Sequence, residues 1–342
     1  MGNTVAFCRL TTGVSMNKGL MFPDQLFEIN DEELYKKTVS AGYQIAKGKK
    51  ILFCGICRNV GDRLERNILR MQYTAQYFKD HHIFIYENDS TDDTVDILKR
   101  YRSEKLDYIS DTRSDKNYDT MLQAGEDPVH YNRCKVLADC RNMYLSEIEY
   151  HDADFVCVLD LDLWGGWSYN GFLHALAVLE NRPTNGAVTA YGVLADCINK
   201  NPLEAVHPSK YLMYDCFVFR PHGEDKAQPK HETGRYNFIN QKPGDNVAFV
   251  NSNFNGLGLY KKEAFKDVNY GVKLWDARSV DADHVVLHRQ MKEKGWDILF
   301  NPSMVVSYAD HQYSQIPLEK TNNEQEKGSN VPRKCKERHQ SC

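Results

Sequence analysis

Two aspartates, Asp160 and Asp162, close the apolar run "FVCVLDLDLWGGW" at residues 155–167. Burying an unpaired carboxylate costs on the order of several kcal/mol, so the pair either reaches water or holds something positive. Residues i and i+2 of an extended strand project to the same side. Both carboxylates can therefore converge on one hard divalent cation, Mg2+ or Mn2+, which binds through oxygen ligands and can itself hold a diphosphate. The competing reading is a pair of solvated turn residues ahead of "WGGW". A second acidic run, Glu87-Asn88-Asp89-Ser90-Thr91-Asp92-Asp93, also follows an apolar run and opens a helical pattern. Such a loop suits a carboxylate that hydrogen-bonds a ribose or a base edge. Ser90 or Thr91 as helix N-cap, with acidic residues favoured by the helix dipole, explains part of the run but leaves Glu87 and Asp89 over.

Two further constellations carry rival chemistry. His284 and His288 lie four apart and can share a helix face, but "HVVLH" lacks the glutamate of an HExxH zinc site, so packed or solvated histidines compete with metal ligands. Cys54-Gly55-Ile56-Cys57 follows a strand as a thiol-disulfide redox pair would. "RNVGDR" then separates Cys57 from the next helix N-terminus, which favours two small buried hydrophobes.

The elements that must position these groups are legible from periodicity. "ILFCGIC" from residue 51 reads as an apolar strand, and Leu64, Ile68, Met71, Ala75 and Phe78 recur as one helix face requires. "HHIFIYEND" reads as a second strand, followed by the helix "STDDTVDILKRY" with the stripe Val95, Leu98 and Tyr101. A polar connection over 107–132 leads to the helix "RCKVLADCRNMYLSEI", the strand 154–159, the helix "NGFLHALAVLEN" and the strand "GAVTAYGV". This alternation predicts an α/β fold, a mixed, mainly parallel sheet with helices on both faces and ligands at the carboxyl ends of its strands. Further along, "YLMYDCFVFR" reads as a strand, "FNGLGLYKKEAF" as strand and short helix, and "DADHVVLHRQMKEKGWDILFNPSMV" as a helix with apolar face Val285, Leu287 and Met291 and then a strand. Residues 31–46 read as a helix capped by Asn30 or Asp31 within an N-terminal extension, 1–48. The main domain spans 49–310, in halves 49–165 and 166–310, and the polar, aperiodic stretch 311–342 is expected to be disordered.

Composition excludes several classes. At 342 residues, with 42% hydrophobic residues and a formal net charge of −4, the chain can bury a full core but offers no basic field for nucleic acid or an anionic membrane. No stretch approaches the roughly 18 apolar residues of a membrane span, and the first residues lack the continuous hydrophobic core of a signal peptide. Ala6 stands where a myristoylation motif wants Ser or Thr. Ten cysteines, among them Cys140, Cys157, Cys197 and Cys216, are scattered without the spacing of a disulfide scaffold, so reduced thiols are expected. Together these features point to a cytoplasmic location and also fit a virus-encoded enzyme.

The motifs "ILFCGICRN", "ENDSTDDT", "RCKVLADCRN" and "VLDLDLWGGW" stand in the order used by nucleotide-sugar glycosyltransferases of the GT-A fold, which is Rossmann-like. "YDCFVFR", "VNSNFNGLGLYK" and "DADHVVLHRQM" resemble later landmarks of the fungal capsule-associated (cryptococcal) mannosyltransferase family, so the similarity runs from about 50 to 305. The resemblance implies metal-dependent transfer of a hexose, mannose in that family, from a GDP- or UDP-sugar donor to a hydroxyl of a glycan or glycoprotein. It implies a donor diphosphate bridged by Mn2+ or Mg2+ on Asp160 and Asp162, with Asp89 and Glu87 near the nucleoside; of the two histidines, His284, beside Asp283, is the better candidate for a third metal ligand. Arg58, Arg133 and Arg141 become contacts for nucleotide or phosphate, whose oxygens the guanidinium fork holds bidentately. Asp215, Asn255 and Gly256 would border the acceptor, and Trp164 and Trp167 are either a packed turn or a platform for a sugar ring. In similar transferases an acidic pair at Asp281 and Asp283 supplies the base that deprotonates the acceptor, Asp283 being the better aligned. Position 282 is alanine where those inverting enzymes carry the first acidic residue of the pair, and Asp283-His284 stands where the capsule family shows Glu-His. A sugar nucleotidyltransferase and a non-catalytic glycan-binding protein on the same fold are the alternatives.

Overall fold

A run that is apolar on both faces belongs in the middle of a parallel sheet, and Lys50–Cys57 (β1) takes that place in the computed structural model, which describes residues 17–113, 131–194, 212–224, 239–276, 279–309 and 316–318. β1 pairs in parallel with Asp80–Asn88 (β2) on one side and Phe155–Asp160 (β4) on the other, and β2 pairs in parallel with Leu106–Asp111 (β3). Beyond β4 the sheet becomes mixed. Antiparallel Leu257–Lys261 (β10) lies next to β4, followed by Asn185–Leu194 (β6), then Asp297–Ser307 (β13) parallel to β6, Ala248–Ser252 (β9) and Arg220–Pro221 (β8). Gly166–Trp167 (β5) adds to β13 and Leu212–Met213 (β7) to β6, which makes 11 strands among the described residues; Lys273–Asp276 (β11) and Ser279–Asp281 (β12) form a separate ribbon. The α/β class and the mixed, mainly parallel sheet are as expected.

Helices cover both faces. Glu32–Ala46 (α1), Gly61–Ala75 (α2) and Tyr169–Glu180 (α6) pack with Ile51 and Phe53 of β1, while Tyr131–Asn142 (α4) and Asp283–Glu293 (α7) pack with Leu52 and Cys54. The alternation of adjacent β1 residues between two cores is what fixes which helix lies on which face. α1 starts at the Asp31 cap, which accepts from the Leu34 N–H at 3.1 Å, and buries Tyr35, Val39 and Ala46. At Gly42 a Cβ would lie 1.8 Å from the Leu173 carbonyl oxygen, so only glycine lets α1 approach α6 this closely.

Several expectations change. The helix 133–148 is broken: α4 ends at Asn142 and a separate helix, Leu145–Tyr150 (α5), follows. Part of the 107–132 connection is β3. Thr94–Tyr101 (α3) buries Ile97 and Leu98 and leaves Val95 and Tyr101 half-buried. "YLMYDCFVFR" is not one strand, because Asp215 adopts φ +59° and turns the chain between β7 and β8. Cys197 and most of 311–342 lie outside the described residues; within that stretch the Ile316 carbonyl accepts from Arg66 Nη2 at 3.2 Å. Among the described residues no helix is long and apolar enough to cross a membrane.

Candidate functional site

β1 and β4 run side by side and stop together, with Ile56 opposite Asp160. A cleft of about 750 Å³ opens over their carboxyl ends. The first half of the chain lines it through Arg58, Asn88, Arg133, Arg141, Asp160 and Asp162. The second half of the chain adds Tyr214, Asp215, Phe254, Asp283, His284 and Tyr308 to the lining.

The floor is a polar layer centred on Arg141, which is buried. Its Nη2 donates to Asp160 Oδ1 at 3.0 Å and its Nε to Asp283 Oδ2 at 2.7 Å, so one guanidinium ties the tip of β4 to the start of α7. The remaining Nη1 is buried without a partner among the described residues. The guanidinium carbon lies 5.1 Å from the centre of the Phe254 ring, and Phe254 stacks on His284 at 3.7 Å. His284 is 1% exposed, and neither ring nitrogen has a hydrogen-bond partner among the described residues. Burial first, then Arg141, holds its imidazole neutral, well below the usual histidine range.

Asp160 is fixed from a third side as well, since Tyr308 Oη donates to Oδ2 at 2.9 Å and its own N–H donates to the Gly256 carbonyl at 2.9 Å. Gly256 has φ +83°, and a Cβ there would sit 2.4 Å from the Tyr308 hydroxyl, so glycine is required twice at one position. Asp162 does not extend the strand. β4 ends at Asp160, and Asp162 enters the cleft through the turn that follows, so the same-side rule for i and i+2 does not position it. It is open to solvent, yet loss of hydration in the cleft and then repulsion by Asp160 push its carboxyl up to about 6. Asp215 is raised well above the carboxylate range, first by burial and then by Asp160 and Asp283, and it accepts from the Asn255 backbone N–H. The cleft thus gathers carboxyl groups that repel one another, a donor set of hard oxygens that fits a divalent cation shared with a diphosphate. Among the described residues no three His, Cys, Asp or Glu side chains converge on one point, so the remaining ligand positions would fall to ligand oxygens and water.

The structure brings Arg58, Arg133, Arg141, Asp160, Asp162, Asp215, Asp283 and His284 to one cleft and leaves other predicted site residues outside it. Glu87 is 1% exposed and works inside the fold: it accepts from the Ser90 N–H at 2.8 Å and from the Ser110 hydroxyl. Asp89, at φ +52°, accepts from the Arg113 N–H at 3.2 Å and from Asn88 Nδ2; of this loop it is Asn88 that lines the cleft. Neither Ser90 nor Thr91 caps α3. Asp92 accepts from the Thr94 N–H at 3.0 Å and from the Gly61 N–H at 2.9 Å, stitching two helix starts together.

Asp281 lies behind the cleft, fully buried between Arg220 Nη2 at 3.2 Å, Trp275 Nε1 at 2.6 Å and Arg289 Nη2. A carboxylate held by those donors has no route to an acceptor hydroxyl, which corrects its assignment to the base. Trp167 is a core residue whose indole donates to Thr74 Oγ1 at 3.1 Å, and half-buried Trp164 packs under Arg63 at 4.7 Å, so neither is a platform in the cleft. Asn255 is buried and donates to Asn253 Oδ1, shaping the wall from behind. His288 is satisfied on both nitrogens, by Ser252 Oγ and Tyr260 Oη at 3.0 Å each, as a packed histidine would be. Cys54 and Cys57 are buried within β1, and burial pushes both thiols up, the opposite of a reactive pair. Tyr214, Phe254 and Tyr308 are site residues that spacing does not reveal. A tyrosine after the last strand is the one weak signal for Tyr308.

Neither a protein-family model nor a curated protein sequence matches the chain. Among solved structures, it is similar to the mannosyltransferase PcManGT from Pyrobaculum calidifontis in complex with GDP-Man and Mn2+, at 13% identity, covering 80% of this chain and 65% of that one with a TM-score of 0.41. It is also similar to S. aureus TarS 1–349 in complex with UDP-GlcNAc, at 10% identity, 79% and 62% coverage and a TM-score of 0.40. A second TarS 1–349 structure is 11% identical, with 76% and 60% coverage and a TM-score of 0.37. The chain spans less than two thirds of the length of each. At that degree of superposition the likeness assigns no residue a role.

Proposed function

We propose that this chain is a glycosyltransferase that moves a hexose from a nucleoside-diphosphate donor to a hydroxyl of a glycan or glycoprotein. On the sequence resemblance, the hexose is mannose and the donor a GDP- or UDP-sugar. One observation carries the reading: at the ends of β1 and β4, a single cleft sets Asp160 and Asp162 beside Arg58, Arg133 and Arg141. A diphosphate needs both kinds of group, guanidinium forks for its outer oxygens and a cation between it and any carboxylate.

In this reading Asp160 and Asp162 would hold Mn2+ or Mg2+, with diphosphate oxygens and water in the other positions; His284 lines the same cleft as a neutral imidazole but does not converge with them on one point. The cation would supply Lewis-acid stabilisation of the departing diphosphate. Arg58 and Arg133, both exposed at the cleft, would grip phosphate oxygens. Arg141 would hold Asp160 and Asp283 in register, and Asp283 would take the proton of the acceptor hydroxyl. Asn255 and Gly256 would set the acceptor wall through Asp215 and Tyr308.

The test is a thermal-shift panel of UDP, GDP and their sugar conjugates, each with and without Mn2+, since a ligand that binds only the native state raises its apparent stability. The expected result is a shift of several degrees with one nucleotide, dependent on Mn2+ and lost in an Asp160→Ala/Asp162→Ala variant. A folded double variant that kept donor-dependent transfer would sink the reading.

A further inference from the structure

An exposed aromatic ring in a cleft walled by carboxylates is costly to hydrate and does nothing for an anion. Tyr214 is such a ring. It is 38% exposed, lines the cleft beside Asp215, and is anchored through its N–H to the Gly192 carbonyl at 3.0 Å. One side of it is covered by Tyr308, whose ring centre lies 3.8 Å away at 38°. Tyr308 is in turn immobilised by its hydroxyl on Asp160 and by the hollow at Gly256. The pair is therefore a braced platform, and a ligand that lands on it orders little that is not ordered already.

We propose that Tyr214 is the stacking platform for a hexopyranose of the acceptor, with the carboxyl group of Asp215 beside it to bond a hydroxyl. The substrate class rests on the glycosyl-transfer reading; the platform itself rests on geometry. A pyranose presents C–H bonds on one face, which the negative face of an aromatic ring attracts, and hydroxyl donors around its rim, which carboxylates accept. A nucleobase could stack equally well. Its edge, however, needs amide-like partners, and the charged groups that act most on Tyr214 are the carboxyls of Asp215, Asp160 and Asp162, ahead of Arg133. The acceptor sugar is therefore the occupant that matches the chemistry of this wall. Tyr214 takes over the platform role for which Trp164 and Trp167 are misplaced.

The experiment uses the full chain and methyl α-D-mannopyranoside at millimolar concentration in ligand-observed saturation-transfer NMR, with and without GDP or UDP plus Mn2+. Wild type should show saturation of the ring C–H protons. Tyr214→Ala should weaken sugar affinity about fivefold, the change that roughly 1 kcal/mol of aromatic contact carries, whereas Tyr214→Trp should retain it. Both variants should melt like wild type and keep the Mn2+-dependent nucleotide shift. Equal sugar binding in Tyr214→Ala, no saturation of the wild type under any condition, or loss of the nucleotide shift in Tyr214→Ala would each overturn the proposal, the last by giving the platform to the base. The transfer reading fails separately, through absence of any nucleotide shift in wild type, and Tyr214-dependent sugar binding would survive that failure.

Discussion

Residues 281–288, "DADHVVLH", contain two aspartates and two histidines, all buried, and the fold uses them in opposite ways. Asp281 and His288 are saturated. Asp281 accepts from two guanidiniums and an indole, and His288 has a hydroxyl at each nitrogen. Asp283 and His284 face the cleft; Asp283 has Arg141, and His284 has no hydrogen-bond partner among the described residues. Burial does not separate the two pairs, since all four side chains are within 4% of fully buried. Satisfaction does. A buried polar atom left without a partner costs roughly 1–3 kcal/mol, so an imidazole with neither nitrogen bonded in a cleft wall calls for a partner from outside the chain.

The comparison breaks first, if it breaks, at the aspartates. Removing one partner of a buried ion pair typically costs about 3–5 kcal/mol because the other charge is stranded. Asp281→Ala should show that loss in urea denaturation, with two guanidiniums deprived of a shared anion. Asp283→Ala should cost less, about 1–3 kcal/mol, because Asp160 still holds Arg141, while donor-dependent transfer falls steeply. Equal losses of stability would mean that Asp283 is as structural as Asp281.

Acid sharpens the contrast at His288, whose imidazole burial pushes down to about 3, with Lys292 adding to the effect. In the unfolded chain it titrates near 6.5, so between those values the unfolded state binds the extra proton. Its contribution to stability is therefore present above pH 6.5 and is lost as pH falls towards 3. Between pH 6.5 and 5 the loss is about 2 kcal/mol. His288→Gln, which keeps hydrogen-bonding groups for Ser252 and Tyr260, should flatten that limb of a stability-versus-pH curve; an unchanged slope would mean that the imidazole is not held neutral.

The sequence reveals most of the framework because the framework is periodic. β1, β2 and β4 are apolar on both faces, and α2 carries Leu64, Ile68 and Met71 on one stripe, so local pattern and burial coincide. The cleft is only half legible, because the partner that decides the role of an acidic residue comes from far along the chain. Nothing near Asp281 announces Arg220, 61 positions away, and nothing near Asp160 announces Tyr308, 148 positions away. Glu87 fails for the same reason, as Ser110 reaches it from the neighbouring strand β3. "YLMYDCFVFR" fails for a different one. Its apolar residues fit a strand, but Asp215 takes a left-handed φ that turns the chain just after Tyr214, which lines the cleft at the end of β7.

The smallest expected effect is the most discriminating. His284→Phe replaces an imidazole stacked on Phe254 by an apolar ring of similar shape and removes both orphaned nitrogens. Where a side chain is structural, such a change strands its partners; here no hydrogen bond is broken. Stability should therefore stay within about 1 kcal/mol of wild type or rise. If the nitrogens are held for a ligand, the Mn2+-dependent nucleotide shift should shrink in the same protein, so that gain of stability and loss of binding come from one substitution. A fall in stability comparable with that of Asp281→Ala would place His284 with the saturated pair. A stable variant with an undiminished nucleotide shift would leave Asp160 and Asp162 to hold the cation without it, and the orphaned imidazole would then mark the acceptor side of the cleft rather than the donor side.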